Sequence, residues 1–115
     1  MEVLNQLSEV PGIEAWALVG EDGFILEAYS RPKTWADRLI SGLGASTLAA
    51  AKAVADSLGR GELEELMVEY PDGVVLIVPT GKGPVLVLAL DQVATLGRAR
   101  LLLRRIMPKL REELS

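Results

Sequence analysis

The uninterrupted segment 36–59 limits what this chain can fold into more than any other stretch. It contains no proline and closes on Gly59, the residue type that most often ends a helix. At ~1.5 Å per residue it would form a helix of roughly 35 Å, about the width of a small domain. Helical spacing puts its larger residues on one side, which we expect to pack against the chain's own core: Ile40, Leu43, Thr47, Ala51, Val54 and Leu58.

The opposite side of this predicted helix carries almost no side chain. It is made of Gly42, Ala45, Ala49 and Ala53, where a solvated helix would carry Lys, Glu or Arg. Alanine is also the best helix former, so the stripe by itself could reflect helix propensity alone. Gly42 costs helix stability, however, and needs a packing reason. We therefore predict that another protein molecule contacts this side.

Five segments read as strands, and their polarity orders them in a sheet. Segments 13–20, 74–78 and 85–90 are apolar at both odd and even positions, which is typical of strands covered on both faces. Segments 24–29 and 62–70 carry glutamates and belong at the edges. Tight turns such as Asp72-Gly73 join successive strands, so these strands must be antiparallel.

A short helix over 2–10 and a final helix, capped by Asp91 and running to about residue 113, complete the pattern. The prediction is an α+β fold with elements in the order αββαβββα. Its five-stranded antiparallel sheet has the strand order 2-1-5-4-3. Helices on both faces make a three-layer α/β/α sandwich, and residues 1–115 form a single domain.

Composition excludes catalysis that depends on histidine or cysteine. The chain has no histidine and no cysteine, so a Ser-His-Asp triad, an imidazole base and a thiolate nucleophile are all impossible. The glutamates at 62, 64, 65 and 69 lack the loop geometry of a divalent-ion site, and a solvated edge explains them better. Thr80-Gly81-Lys82-Gly83 lacks the earlier glycine and the following helix of a phosphate loop, so it reads as a hairpin turn. We expect no enzyme, no cofactor and no metal.

Charge is distributed unevenly along the chain. Residues 1–97 hold six Lys/Arg against fourteen Asp/Glu, whereas residues 98–115 hold six against two. An acidic body makes nonspecific nucleic-acid binding unexpected. The last helix reads as a solvated basic face or, alternatively, as a docking patch for an acidic partner around Arg98, Leu101 and Arg105. No apolar run reaches membrane-spanning length and no signal peptide is visible, so we expect a cytoplasmic protein without membrane insertion.

Four stretches in this order resemble the Roadblock/LC7 family, in particular its bacterial MglB-like branch. They are VPGIEAWALVGEDGFILEAYS, LGASTLAAAKAVADSLG, MVEYPDGVVLIVPTGKGPVLVLAL and LGRARLLLRRIMPKL. The resemblance implies a non-catalytic homodimer in which the third strands pair edge to edge and the two long helices lie side by side. It further implies a scaffold or regulator whose bacterial members often work with a small Ras-like GTPase. A purely structural adaptor, like the family's members in dynein, is the alternative.

Mapped onto this chain, the pairing edge would be 62–70, with Glu65, Met67 and Glu69 in the interface. The helix contact would be the small stripe. An antiparallel pair of these helices about a twofold axis near Thr47 would place Arg38 of one subunit beside Asp56 of the other. An exposed ion pair of this kind contributes at most ~1 kcal/mol and would set register more than affinity.

Overall fold

The computed structural model describes residues 1–31 and 44–115, with side chains for 1–31 and 49–115. The order of elements is the predicted one, with a 3₁₀ turn after the first helix and another before the last. The helices are α1 (Glu2–Asn5), α2 (Gly44–Leu58) and α3 (Leu96–Leu114), and the 3₁₀ turns are Gln6–Glu9 and Val93–Thr95. The strands are β1 (Ile13–Val19), β2 (Ile25–Ser30), β3 (Leu66–Tyr70), β4 (Gly73–Pro79) and β5 (Val85–Leu90). Within these ranges, no helix combines the length and apolarity needed to span a membrane.

The five strands form one antiparallel sheet in the order β2-β1-β5-β4-β3, which confirms the predicted topology. The three strands that are apolar on both faces, β1, β5 and β4, occupy the centre, and the strands with glutamates lie at the edges. Leu88 of β5 pairs with Trp16 on one side and Leu76 on the other. Backbone groups at the centre are therefore satisfied on both sides, where water could not reach them.

Large aliphatic side chains fill one face of the sheet, beneath α1, its 3₁₀ turn and α3. Trp16 lies in this cluster, its Nε1 donates a hydrogen bond to Ser8 Oγ at 2.9 Å, and its ring stacks on Tyr29 with centroids 6.3 Å apart. Each fully buried leucine in the cluster contributes about 1.5–3 kcal/mol by leaving water. These leucines include Leu4, Leu7, Leu18, Leu76, Leu86, Leu88, Leu90 and Leu110.

Smaller residues fill the other face of the sheet. Its buried cluster contains only alanine, valine and isoleucine, and Leu63, Leu66 and Val68 pack against its margin. Small side chains let whatever lies on this face approach the backbone closely. Both faces of the central strands are therefore buried, as their apolar pattern predicts.

Three predicted boundaries are wrong. The first helix ends at Asn5 instead of residue 10, and residues Gln6–Glu9 form a 3₁₀ turn. Strand β3 begins at Leu66 instead of residue 62, so the acidic residues 62–65 precede the strand. Asp91 does not cap the last helix, which begins at Leu96 after the second 3₁₀ turn. Its carboxylate accepts a hydrogen bond from the Thr95 hydroxyl at 2.7 Å, so it anchors the turn that leads into α3. A capping residue must lie next to the first free helical N–H groups, and Asp91 is too far from them.

The predicted inward stripe of the long helix is wrong at its C-terminal end. Val54 is 60% exposed and Leu58 is 66% exposed, whereas Ala51 and Ala55 are half-buried. Ala51 and Ala55 are four residues apart and share one side of the helix, while Val54 lies roughly 60° around the axis from Ala51 on the side away from Ala55. Periodicity orders side chains around a helix, but it does not determine which way the helix is rotated on its sheet.

Candidate interaction surfaces

Helix α2 presents a mostly apolar surface to solvent, interrupted by Ser57, whose hydroxyl donates to the Ala53 carbonyl at 2.8 Å. Ala49 and Ala53 of the predicted small stripe are exposed, and Ala50, Val54 and Leu58 extend this surface at four-residue spacing. We call these five residues the α2 outer face. The exposed charged residues Lys52 and Asp56 lie on the flank of the helix away from Leu58. The exposed side of α2 thus has the character of a protein contact surface.

The remaining residues of the predicted helix contact are not all within reach of the structure. Arg38 and Gly42 lie outside the described residues. Ala45 lies in α2, but only its backbone is described. Asp56 is exposed near the C-terminal end of α2. The pairing of Arg38 with Asp56 across a twofold axis stays a prediction.

Strand β3 forms one edge of the sheet. Its one neighbour among the described strands is β4, with Val68 opposite Val75. Leu66 and Val68 pack inward, whereas Met67, at 40%, and Glu69 are exposed on the other side of the strand. An edge of this kind offers unpaired backbone N–H and C=O groups to another strand.

Glu65, the third residue predicted for this edge, is bound within its own chain. The Arg100 guanidinium of α3 donates from Nη2 to Glu65 Oε2 at 2.7 Å and from Nε to both carboxylate oxygens at 3.1 and 3.2 Å. This hydrogen bonding and the negative charge of Glu65 raise the pKa of Arg100 above its ordinary value. The fork-shaped contact ties the segment before β3 to α3.

Helix α3 exposes the three residues of the predicted docking patch. Leu101 is 62% exposed, and Arg98 and Arg105 are exposed on the same side of the helix, three residues before it and four residues after it. The buried side of α3, with Ala99, Leu103, Ile106 and Leu110, packs on the sheet. The helix is therefore amphipathic, with one apolar residue placed among the cations of its polar side.

The described residues contain no group of acidic side chains arranged to hold a metal ion. The tetrapeptide at 80–83 is the hairpin turn expected from its sequence: the Thr80 hydroxyl donates to the Pro84 carbonyl at 2.7 Å and accepts from the Lys82 N–H at 3.1 Å. The Thr80 side chain thus closes the β4–β5 turn, which is a structural role.

Sequence reasoning missed part of the α2 outer face, because Val54 and Leu58 look like core residues. The half-buried alanines at 51 and 55 mark the inward side, but alanines occur on both sides of this helix, so the sequence does not single them out. The partner of Glu65 was also missed. The two residues are 35 positions apart, and local pattern carries no information on such a contact.

Comparison with known proteins places the chain among small α+β domains. A sequence model of the Roadblock/LC7 domain matches residues 1–90. The uncharacterized protein MJ0310 of Methanocaldococcus jannaschii is 31% identical over 109 residues, which cover 95% of this chain and 94% of that protein.

Solved structures show the same fold. MglB of Myxococcus xanthus superposes with a TM-score of 0.82 at 22% identity, covering 96% of this chain and 90% of its own. An MglB with a tetrameric arrangement superposes with a TM-score of 0.81 at 26% identity, covering 99% of this chain and 88% of its own. The similarity includes nearly all of this chain.

Proposed function

Because this chain belongs to the Roadblock/LC7 family, we propose that it is a non-catalytic homodimer that binds a small Ras-like GTPase. In this role it modulates the nucleotide cycle of the GTPase or its location. The apolar α2 outer face carries the proposal, since Val54 and Leu58 remain more than half exposed on it. Contiguous exposed apolar surface of this kind marks a site of protein contact.

Two features support the homodimer. The α2 outer face offers apolar area, and the β3 edge offers backbone hydrogen-bonding groups. In the proposed dimer, two β3 strands pair into a ten-stranded sheet and two α2 helices lie side by side. A twofold interface uses the same patch of both subunits, so one surface is enough to build it. The interface residues are Arg38, Gly42, Ala45, Ala49, Ala53, Asp56, Met67 and Glu69, with Glu65 at its margin.

The regulatory role is supported by the residue composition of the chain and by its similarity to an MglB. The chain has no histidine and no cysteine, so neither an imidazole base nor a thiolate nucleophile is available. Its likeness to an MglB at 26% identity favours the MglB-like branch, whose bacterial members often work with a small Ras-like GTPase. Any effect on GTP hydrolysis would then come from ordering the GTPase.

The test is single-turnover GTP hydrolysis by a purified small Ras-like GTPase from the source organism of this chain. We expect the wild-type protein to change the hydrolysis rate or to form a complex with the GTP-loaded GTPase. Ala53→Glu, which buries a carboxylate in the proposed interface, should abolish the effect. Ala28→Glu is the matched control, because Ala28 is exposed on β2 at the opposite edge of the sheet. An unchanged rate together with no detectable complex would refute the proposal.

A structural adaptor is the second candidate, and the basic side of α3 with its exposed Leu101 favours it. An adaptor dimerizes in the same way but joins other proteins without affecting a GTPase. A dimer that leaves hydrolysis unchanged and binds a partner through α3 would identify this role.

A further inference from the structure

Leu101 is the one large apolar side chain that α3 turns fully towards solvent among its described residues. It is 62% exposed, whereas Leu102 is half-buried and Leu103 is buried. Single exposed leucines are common on protein surfaces, so exposure alone indicates nothing. Leu101 differs from such leucines because exposed cations surround it.

Four exposed cations surround or follow Leu101 on the outer side of α3: Arg98, Arg104, Arg105 and Lys109. Within the part of the chain that the structure describes, none of the four has an ion pair or a side-chain hydrogen bond. The two arginines that face the body of the protein are engaged, since Arg100 binds Glu65 and Arg111 Nε donates to the Thr80 carbonyl at 2.8 Å. The fold thus satisfies its inner cations and leaves the outer ones available.

A cleft of about 520 Å³ lies between α3 and the segment that precedes β3, and of the four outer cations Arg104 lines it. Its lining combines the apolar side chains of Leu63, Leu103 and Met107 with Arg104 and Pro108. Pro108 has no N–H, so the Arg104 carbonyl loses its regular helical donor. A cleft lined in this way accommodates an apolar side chain and leaves a backbone acceptor without its helical partner.

The charges around the surface distinguish between classes of partner. Glu62 and Glu64 also line the cleft, and they would repel phosphates and carboxylates alike, so the part of a partner that enters the cleft must be uncharged. A nucleic acid carries closely spaced phosphates along its whole backbone and does not meet this requirement. An acidic protein segment can place its carboxylates on the α3 cations and its apolar residues in the cleft. Arginine pairs with carboxylates through two parallel hydrogen bonds, which adds direction to the attraction.

We propose that Arg98, Leu101, Arg104 and Arg105, with the adjoining cleft, bind an acidic amphipathic helix of a partner protein. Apolar residues of that helix contact Leu101 and enter the cleft, while its carboxylates pair with the arginines. This inference deepens the adaptor role, which uses the same side of α3, by naming the class of partner, and it requires neither dimerization nor a GTPase.

The test uses the full chain, labelled with ¹⁵N, and a synthetic 16-residue peptide with leucines at helical spacing and glutamates elsewhere. We expect amide shift changes concentrated in residues 97–109 and a dissociation constant that rises at least about fivefold between 50 and 300 mM salt. Arg98→Glu with Arg105→Glu should weaken binding by at least about tenfold, since both reversals replace attraction by repulsion. Leu101→Ser should weaken it by about threefold or more.

The matched control reverses one exposed cation away from this surface, Lys52→Glu on α2, which does not line the cleft. Compared with the single reversal Arg105→Glu, it changes the net charge equally and should alter affinity by less than about threefold. A peptide with lysines in place of the glutamates should not bind. All of these charge reversals are at exposed positions, and thermal melting of each variant verifies that it is folded.

Several outcomes would overturn the inference. They are equal binding of the acidic and basic peptides, shift changes away from α3, and an unchanged affinity after the Arg98 and Arg105 reversals. Binding to phosphatidylserine vesicles or to a single-stranded DNA 20-mer, with none to the acidic peptide, would assign the surface to another partner class. The hydrolysis assay with Ala53→Glu does not involve α3, so failure of the proposed function and failure of this inference are distinguishable.

Discussion

Gly12 occupies a position that no other residue type can fill without strain. Its φ of +97° lies in the left-handed region, and its carbonyl accepts the Asp91 N–H at 2.9 Å. A Cβ on Gly12 would lie 2.5 Å from Thr95 Oγ1 and 2.8 Å from Asp91 Oδ1. These are the two atoms of the hydrogen bond that anchors the turn into α3, so one glycine holds the start of β1 against the start of the last helix.

We predict that Gly12→Ala lowers the free energy of unfolding by about 3 kcal/mol or more, from backbone strain plus the clash with Thr95 and Asp91. Gly23 provides the control, since its φ is +88° but a Cβ there would meet no atom within 4 Å. Gly23→Ala should cost only the strain of about 1–2 kcal/mol. Urea denaturation of both variants measures the difference, and equal losses would show that the close approach at Gly12 is unimportant.

At the scale of elements, α3 tolerates a proline in its interior. Pro108 is exposed, and the helix continues through it to Leu114. An interior proline normally costs about 3 kcal/mol, because it removes a hydrogen bond and clashes with the preceding turn. Burial of Ile106, Met107 and Leu110 on the sheet keeps the last turns helical despite this cost.

Pro108→Ala should therefore stabilise the protein by about 1–3 kcal/mol, because it restores the hydrogen bond to the Arg104 carbonyl. Calorimetric melting measures the effect. Lys109→Ala, at the neighbouring exposed position, should change stability by less than about 0.5 kcal/mol. A loss of stability in Pro108→Ala would mean that the proline ring contributes more by packing in the cleft than it costs the helix.

The bidentate contact between Glu65 and Arg100 also links two elements. It joins the segment that precedes β3 to α3, and 24% of the Glu65 side chain and 43% of the Arg100 side chain are accessible. A double-mutant cycle with Glu65→Gln and Arg100→Lys should give a coupling of about 0.5–1 kcal/mol that decreases with added salt. A coupling that is independent of salt would contradict an electrostatic origin.

At the scale of the whole molecule, the exposed apolar area of α2 has consequences for assembly. A monomer would leave Val54 and Leu58 in water, at a cost that a second copy could remove. The chain has only five aromatic residues, so an interface on α2 would depend on aliphatic contacts. The small side chains of Ala49 and Ala53 would let two helices approach closely there.

We predict that the wild-type chain sediments as a dimer at micromolar concentration and that Ala53→Glu weakens the dimer by at least about tenfold. The variant should remain folded, since Ala53 is exposed in the single chain. Ala28→Glu should sediment like the wild type. A folded wild-type monomer at this concentration would remove the basis for the proposed interface.

Sequence pattern alone determined the topology of this protein. Strands that are apolar on both faces had to lie inside, strands with glutamates had to lie outside, and tight turns had to make neighbours antiparallel; together these rules leave the order β2-β1-β5-β4-β3. These rules depend on residues that are close in sequence, so they can be read from the sequence alone. The exposed Leu101 among the cations of α3 followed from helical periodicity for the same reason.

Only the tertiary structure decided the rotation of α2 and the partner of Glu65. The periodicity of α2 is unchanged when the helix turns about its axis, and in the structure Ala51 and Ala55 are half-buried whereas Val54 and Leu58 face solvent. The contact between Glu65 and Arg100 joins residues 35 positions apart. Both results depend on how finished elements pack on one another, and local residue spacing does not specify that packing.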